Sequence, residues 1–599
     1  MENIKLEKSL LVFILIPLTA FAFTVAGVYN SNGLPKVLVL GLGAFIACMA
    51  YSKKILITNK YQLVPILFLF SYVFSQLIIK NDLSSFLFGR FGRNGGIIVL
   101  CCLTLIFLIC TNLEPESMKS YINLFFITYY LLIVFGLFQI FDLLPFQYGL
   151  FELGSVIAAR PDYGISLTFG NPNIAGAFLG IAISVQLILW NSKVYKKNWL
   201  QLLILLIACY LLVKTEAVQG FLVLLFNIVL YIIYLSQEKL RQIWNVKFTI
   251  ITFSLISFAA SSIYFSNAWN YLYKVGNIGE RINYWKLSWD IWLDHKIFGI
   301  GIDNLAEYAT FYRDLQLLKQ EGTWRIPDRS HNVVLDHFVN GGFVTGFLWV
   351  LFILLVSGLA FKKIFNKNIQ NLSPNFLIII SIWFGYLIQS LVSIDNIFLT
   401  LLGYISAGFI IGDRAGHGTR APIKVLQNVN YTRMIKPVVV LIFGVFSYYS
   451  ISYVQFDRNA NKFLTLNNAT VLNSIYNSKL QDPKTLTDII VKVGKDNQFE
   501  IAAKFSESLL NLYRYSHQAY YAQSVYSESI KDMPQAVKYM RMAHDADKWN
   551  PTYLLGLSIY ELNTGNYSLA RAYLERVISI DPDQQGVKIV QERLTQLSP

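Results

Sequence analysis

The stretch VVLDHFVNGGFVTGFLWVLFILLVSGLA, residues 333–360, decides the class of fold. An α-helix needs roughly 17–25 mostly apolar residues to cross about 30 Å of hydrocarbon, and this run supplies them. Outward from it, runs of the same kind recur near residues 10–29, 35–51, 61–79, 94–110, 121–141, 172–190, 199–213, 217–235, 248–266, 375–393, 396–412 and 435–455. The expectation is an all-α, polytopic membrane bundle of about thirteen spans. Of the 599 residues, 55% are hydrophobic and only 14% charged, outside the range of an ordinary soluble domain. No small-residue cleavage site separates the first run from the second, so the first is read as a retained helix.

Lys and Arg in the short loops set the orientation. Every second loop is basic: Lys53, Lys54 and Lys60; Lys193, Lys196 and Lys197; Lys239, Arg241 and Lys247; Lys362, Lys363 and Lys367; Arg414, Arg420, Lys424, Arg433 and Lys436. Those loops, and the N-terminus with Lys5 and Lys8, are expected to be cytoplasmic. An odd number of spans then places the chain after residue 457 outside, dividing it into a membrane domain, 1–456, and an extracytoplasmic domain, 457–599. The formal charge of +14 is topological on this reading, and no nucleic-acid partner is expected. Cys48, Cys101, Cys102, Cys110 and Cys209 all fall inside expected spans without metal-site or disulfide spacing, so neither a metal nor a cofactor is expected.

From residue 457 onward charge is spread throughout and apolar residues take helical spacing. YLLGLSIYELNTGNYSLARAYLERVISIDP, residues 553–582, resembles a tetratricopeptide repeat. Gly565 and Tyr567 fit its turn, Ala570 its close crossing, Leu574 and Val577 its packing face and Pro582 its stop. A weaker copy precedes it around Ala536, Met540 and Ala543. Such repeats stack into a curved α-solenoid whose commonest role is binding, so a protein partner or acceptor is expected there.

Long outer segments, 80–93, 142–171 and 267–332, are where function is expected. FGRFGRNGG (88–96) sets Arg90 and Arg93 among glycines that let backbone approach a ligand; interfacial anchoring by snorkelling arginines is the alternative. ARPDYGISLTFGNPNIAGAFLG (159–180) brings Arg160, Asn171 and Asn173 to a span start, where Asn also serves as a helix cap. VKTEAVQG (213–220) places Lys214 and Gln219 in a tight outer hairpin, which is also what a plain polar turn looks like. In GERINYWKLSWDIWLDHKIFGIGIDNLAEY (279–308), Trp285, Trp289 and Trp292 mark one face of an amphipathic helix suited to a membrane surface. His331, between Ser330 and Asn332 at the start of the long helix, suits a general base, since its unperturbed pKa lies near 6.5; a cap or surface role is the bland reading.

TFGNPNIAG (168–176), the Arg281–Trp285 pair followed by DHKIFGIGIDN (294–304), and HNVVLDHFVNGGFVTG (331–346) stand in the order found in the O-antigen ligase and O-antigen polymerase superfamily, which the membrane part resembles. The resemblance implies a GT-C-like fold in the bacterial cytoplasmic membrane. It also implies inverting, metal-independent transfer from an undecaprenyl-diphosphate-linked glycan to an acceptor hydroxyl, on a lipid, a protein or another glycan. It makes His331 the base and Arg281 and Arg160 the diphosphate holders, with Asp303, Asn171, Asn173 and Asn332 in the binding motifs. One departure is Val218–Gln219–Gly220 where many members carry Ser-Arg-Gly, so that Lys214, Arg90 or Arg93 is expected to supply the missing charge. Gly341, Gly342 and Gly346 are read as sites of close packing. The rival readings are a repeat-unit polymerase, a non-catalytic envelope assembly protein and a lipid or solute transporter.

Overall fold

The structure, a computed structural model, describes residues 9–22, 27–55, 57–80, 82–141, 143, 164–191, 199–236, 278–322, 325–365, 372–412 and 431–597. Every regular element among them is helical. In chain order the first half contains α1 (Ser9–Phe21), α2 (Leu34–Ala50), α3 (Leu63–Ile79), α4 (Leu83–Phe88), α5 (Ile97–Cys110), α6 (Ser117–Ile140), α7 (Pro172–Asn191), α8 (Trp199–Lys214) and α9 (Val218–Leu235). Then follow α10 (Ile278–Asp294), α11 (Leu305–Tyr312), α12 (Leu315–Glu321), α13 (Val333–Ile364), α14 (Pro374–Val392), α15 (Ile397–Gly412) and α16 (Tyr431–Leu464).

Seven helices among the described residues are long and apolar enough to cross a membrane, and five shorter apolar helices accompany them. Each falls on one of the expected runs; the expected span 248–266 lies outside the described residues. Within the bundle α7 and α14 are central, with 83% and 78% of their apolar windows buried, whereas α9 and α16 bury only 28%. Between helices in lipid, small residues at the contact take the place of a hydrophobic driving force. Thus α7 and α9 cross where a Cβ on Gly180 would stand 2.4 Å from the Gly220 carbonyl oxygen, and one on Gly220 2.5 Å from that of Gly176.

The long helix α13 is kinked at Gly342, whose φ of 77° lies in the left-handed region. The break frees the carbonyls of Val339 and Asn340, which instead accept from the Ile300 and Gly301 amides at 2.9 and 3.1 Å. The Phe343 amide, released in the same way, donates to the Lys296 carbonyl at 2.7 Å. Backbone lies directly on backbone here: a Cβ on Gly342 would be 2.0 Å from the Ile297 oxygen. The Gln76 side chain of α3 closes the joint, donating to the Asn340 carbonyl and accepting from the Ile302 amide.

Beyond the expected boundary at residue 456, α16 continues unbroken and leads into antiparallel hairpins: α17 (Leu472–Tyr476), α18 (Pro483–Lys495), α19 (Phe499–Leu512), α20 (His517–Ser529), α21 (Met533–Ala546), α22 (Pro551–Asn563), α23 (Tyr567–Ile580) and α24 (Val587–Leu597). The Ser524 hydroxyl of α20 bonds the Ala536 carbonyl of α21, and 34 residues later Ser558 of α22 bonds Ala570 of α23 in the same way. This array sits on the loops of the bundle. Ser84 bonds the Gln481 carbonyl, the Phe91 amide donates to Asp482, and Arg313 at the end of α11 forms a bidentate pair with Asp547 at 3.0 and 2.6 Å, both side chains fully buried.

Candidate active site

The joint at Gly342 fixes where the loop before α13 can run, and Asp303 anchors that loop from the other side. Asp303, itself at φ 60°, accepts from the Arg90 and Gly95 amides at 3.0 and 3.4 Å and pairs with Arg329. The glycines of FGRFGRNGG allow this wrapping, because a Cβ on Gly89 would lie 2.5 Å from the Asp303 carboxylate. Arg329 is buried and has a second carboxylate, that of Asp336, at 3.8 Å. Although burial alone works against its charge, Asp303 and Asp336 push the Arg329 guanidinium further up than its ordinary value. The Asp336 carboxylate also accepts from the Ser330 amide at 2.7 Å, and Asn332 caps α13 by accepting from the Leu335 amide at 3.1 Å.

Held between these anchors, His331 adopts φ 54°. Its Nδ1 lies 3.2 Å from the Arg329 carbonyl, and its ring packs on Tyr284 of α10 with centroids 5.2 Å apart. A carbonyl can only accept, so a hydrogen bond there places the proton on Nδ1 and the lone pair on Nε2. Burial lowers the pKa of the imidazole; Asp328 pulls it up while Arg93 and Arg281 push it down, and the net direction is below the ordinary 6.5. The ring is therefore neutral at pH 7, the form a base requires.

Arg281 precedes Tyr284 by one turn on the same face of α10, which carries it to the His331 side. It is half-buried, burial lowers its pKa, and it is in no ion pair among the described residues. Glu280 beside it opposes that shift without pairing with it, and a half-buried guanidinium in no ion pair is suited to an anionic ligand. The neighbouring Arg93 differs, gripping Asp328 through two bonds at 2.8 and 3.0 Å. Burial pushes the Asp328 carboxyl up, but Arg93 outweighs it and holds the group well below the usual carboxylate range.

Other expected site residues have different employment. Arg90 is paired with Glu307 at 3.2 Å beneath the C-terminal array. Asp303 is turned inward as the Arg329 anchor. Asn171 caps α7 through the Asn173 amide at 2.8 Å, and the buried Gln219 donates to the Asn173 carbonyl, so these three tie α7 to α9. Lys214 is exposed, 5.8 Å above the Tyr210 ring. Arg160 lies outside the described residues. Of the tryptophans, Trp292 packs edge-on against Phe338 of α13 while Trp289 is half exposed, so part of that face docks on the bundle. No group of three His, Cys, Asp or Glu side chains able to hold a metal occurs among the described residues.

Two residues at the site and one below the TFGNPN segment were not singled out by the sequence. Tyr284 stands inside the quoted 279–308 segment, three residues after Arg281, and Arg329 lies two residues before His331, just outside the quoted 331–346 motif. The third is Lys36, buried in α2, whose ammonium donates to the Asn32 carbonyl at 3.0 Å. Asn32 in turn bonds the Phe169 carbonyl of TFGNPN at 2.8 Å.

Residues 202–350 match the O-antigen ligase family. The O-antigen ligase match covers about a quarter of the chain and takes in Lys214, Gln219, Arg281, Asp303, Arg329, His331 and Asn332. It therefore spans both sides of the Tyr284–His331 contact and the loop joint that positions it. The chain is thus a multi-pass helical protein with an O-antigen ligase-like region at this site. No curated protein matches the chain.

Proposed function

We propose that this protein is a membrane glycosyltransferase that moves a glycan from an undecaprenyl-diphosphate donor to an acceptor hydroxyl. The reaction takes place on the side bearing the C-terminal array, at the outer face of the bacterial cytoplasmic membrane. His331 Nε2 takes the acceptor proton as the hydroxyl oxygen attacks the anomeric carbon; the bond to the diphosphate breaks with inversion, and Arg281 meets the charge that develops on the leaving group. The observation that carries this reading is the His331 imidazole, with Nδ1 3.2 Å from the Arg329 carbonyl and its ring on Tyr284, near an arginine in no ion pair among the described residues, inside the region matching O-antigen ligases. No metal is assigned a step.

The C-terminal hairpins, with a register of 34 residues, fit tetratricopeptide repeats, and their seat on the loops beside the site gives them the acceptor to hold. Arg90 and Arg93, two of the three residues expected to supply the charge absent at Gln219, are engaged by Glu307 and Asp328, so Arg281, with Arg160 and the exposed Lys214, carries the donor site. Purified protein in nanodiscs, given an undecaprenyl-diphosphate glycan pool and candidate acceptors, is expected to form product that His331→Ala and Arg281→Ala do not. Product of one added glycan identifies a ligase and a ladder of repeat units a polymerase. Undiminished transfer by His331→Ala would remove the base, and a wild type inactive on every donor would overturn the reading.

A further inference from the structure

A groove follows the lipid-facing seam between α2 and α16. One part, about 540 Å³, is walled by Leu42, Phe45, Val440, Phe443 and Phe446. A second part, also about 540 Å³, continues from it through Leu38, Ser450, Ile451 and Val454 to a polar end formed by Gln455, Arg458, Asn459 and Lys462. These four recur at the spacing of one helix face, so both cations point along the same seam. Arg458 and Lys462 are exposed, and neither is in an ion pair among the described residues. The Ser450 hydroxyl, shared by both parts, is 5% exposed and has no hydrogen-bond partner among the described residues. A Cβ on Gly444, in the apolar part, would meet nothing within 4 Å.

An apolar trough with two unpaired cations and a hydroxyl at one end matches a lipid with a negatively charged phosphate headgroup. Its depth fits one leaflet: from Gly444 to Arg458 the helix rises roughly 21 Å at about 1.5 Å per residue. Half a bilayer with its headgroups measures about 20–22 Å. None of the lining residues surrounds His331. The side of α16 turned toward the candidate site is instead marked by Asp457, which is buried and accepts from the Asn30 amide at 3.1 and 3.0 Å. We propose that this groove holds one anionic glycerophospholipid, its phosphate on Arg458 and Lys462 and its chains along α2 and α16. The occupant is a bilayer component and not the glycan donor, and it braces the helix that carries the C-terminal array.

Native mass spectrometry tests this on the full chain released from nanodiscs containing equal phosphatidylglycerol, phosphatidylethanolamine and undecaprenyl phosphate. One retained phosphatidylglycerol is expected. Arg458→Gln with Lys462→Gln should lower its retention roughly 30-fold, the combined effect of two such cations. Gly444→Leu, which fills the trough without touching the cations, should displace it as well. Equal retention of phosphatidylethanolamine, or unchanged retention in both variants, would overturn the proposal. Preferential retention of undecaprenyl phosphate would also overturn it, by assigning the groove to an isoprenoid. Retention is read without any transfer step, so the result is independent of the glycosyltransferase reading.

Discussion

His331 stands in a left-handed backbone conformation that costs a non-glycine residue on the order of 1–3 kcal/mol, so its backbone and its imidazole can be tested apart. His331→Gly removes the ring while relieving that backbone. It is expected to unfold within about 1 kcal/mol of wild type yet lose transfer by roughly 10²–10⁴-fold, measured by thermal unfolding alongside product formation. A cap or surface histidine would leave transfer intact. Because burial depresses the pKa of His331, the base form persists below pH 6.5. The transfer rate should therefore hold as pH falls to 6.5 and decline only below it, whereas an unperturbed imidazole would already be half protonated there. At this scale the sequence was partly legible. His331 stands out as a histidine between Ser330 and Asn332 at the start of a long apolar helix, and Arg281 through the family resemblance. The role of Arg329 was not legible, because what distinguishes it from Arg281 is that Asp303, distant in sequence, turns back to pair with it. Gln219 likewise reads as a ligand residue from its polar hairpin and the family resemblance, but it is buried against the Asn173 carbonyl.

Elements whose existence depends on apolar length alone were the easiest to read, which is why the described membrane helices fall on the expected runs. The joint between residues 296–301 and α13 was not readable, because it consists of backbone hydrogen bonds between segments whose side chains carry no mark of the pairing. Gly341, Gly342 and Gly346 announce close packing without saying against what. The structure makes the distinction testable within one helix. Gly342→Ala places a methyl 2.0 Å from a backbone oxygen at a positive φ, and should destabilise the protein by at least about 3 kcal/mol and disturb His331 through the shifted loop. Gly358→Ala lies in the same helix with nothing within 4 Å, and should be neutral or stabilising by up to about 1 kcal/mol. Thermal unfolding in one detergent compares the two directly, and equal losses would show that the kink is not what positions the loop.

At the scale of the whole molecule, the buried Arg313–Asp547 pair joins the loops of the bundle to the C-terminal array, with His517 beside it. The His517 Nδ1 lies 2.7 Å from the Tyr553 hydroxyl and 3.9 Å from Asp547. Burial pulls its pKa down to about 4; Asp547 opposes this and Arg313 reinforces it. Opening of the array around α20 and α22 exposes this histidine to water, where its pKa returns to about 6.5. Between pH 6.5 and about 4 the opened form thus binds the extra proton, so the packing of the array is at full strength above 6.5 and weakens as pH falls through that window. The loss amounts to about 2 kcal/mol at pH 5 and approaches 3 kcal/mol near pH 4. Hydrogen exchange of α21 and α22 at pH 7.5 and pH 5 should report it as faster opening in acid, and His517→Gln should remove the difference. Arg313→Ala acts at every pH, since it leaves Asp547 buried without its partner at a cost of about 3–5 kcal/mol. Adding Asp547→Leu to Arg313→Leu should recover much of that cost, because the penalty comes from the uncompensated charge. If Arg313→Ala left exchange in α21 unchanged, the array would be held by its contacts with α4 and residues 90–91 instead.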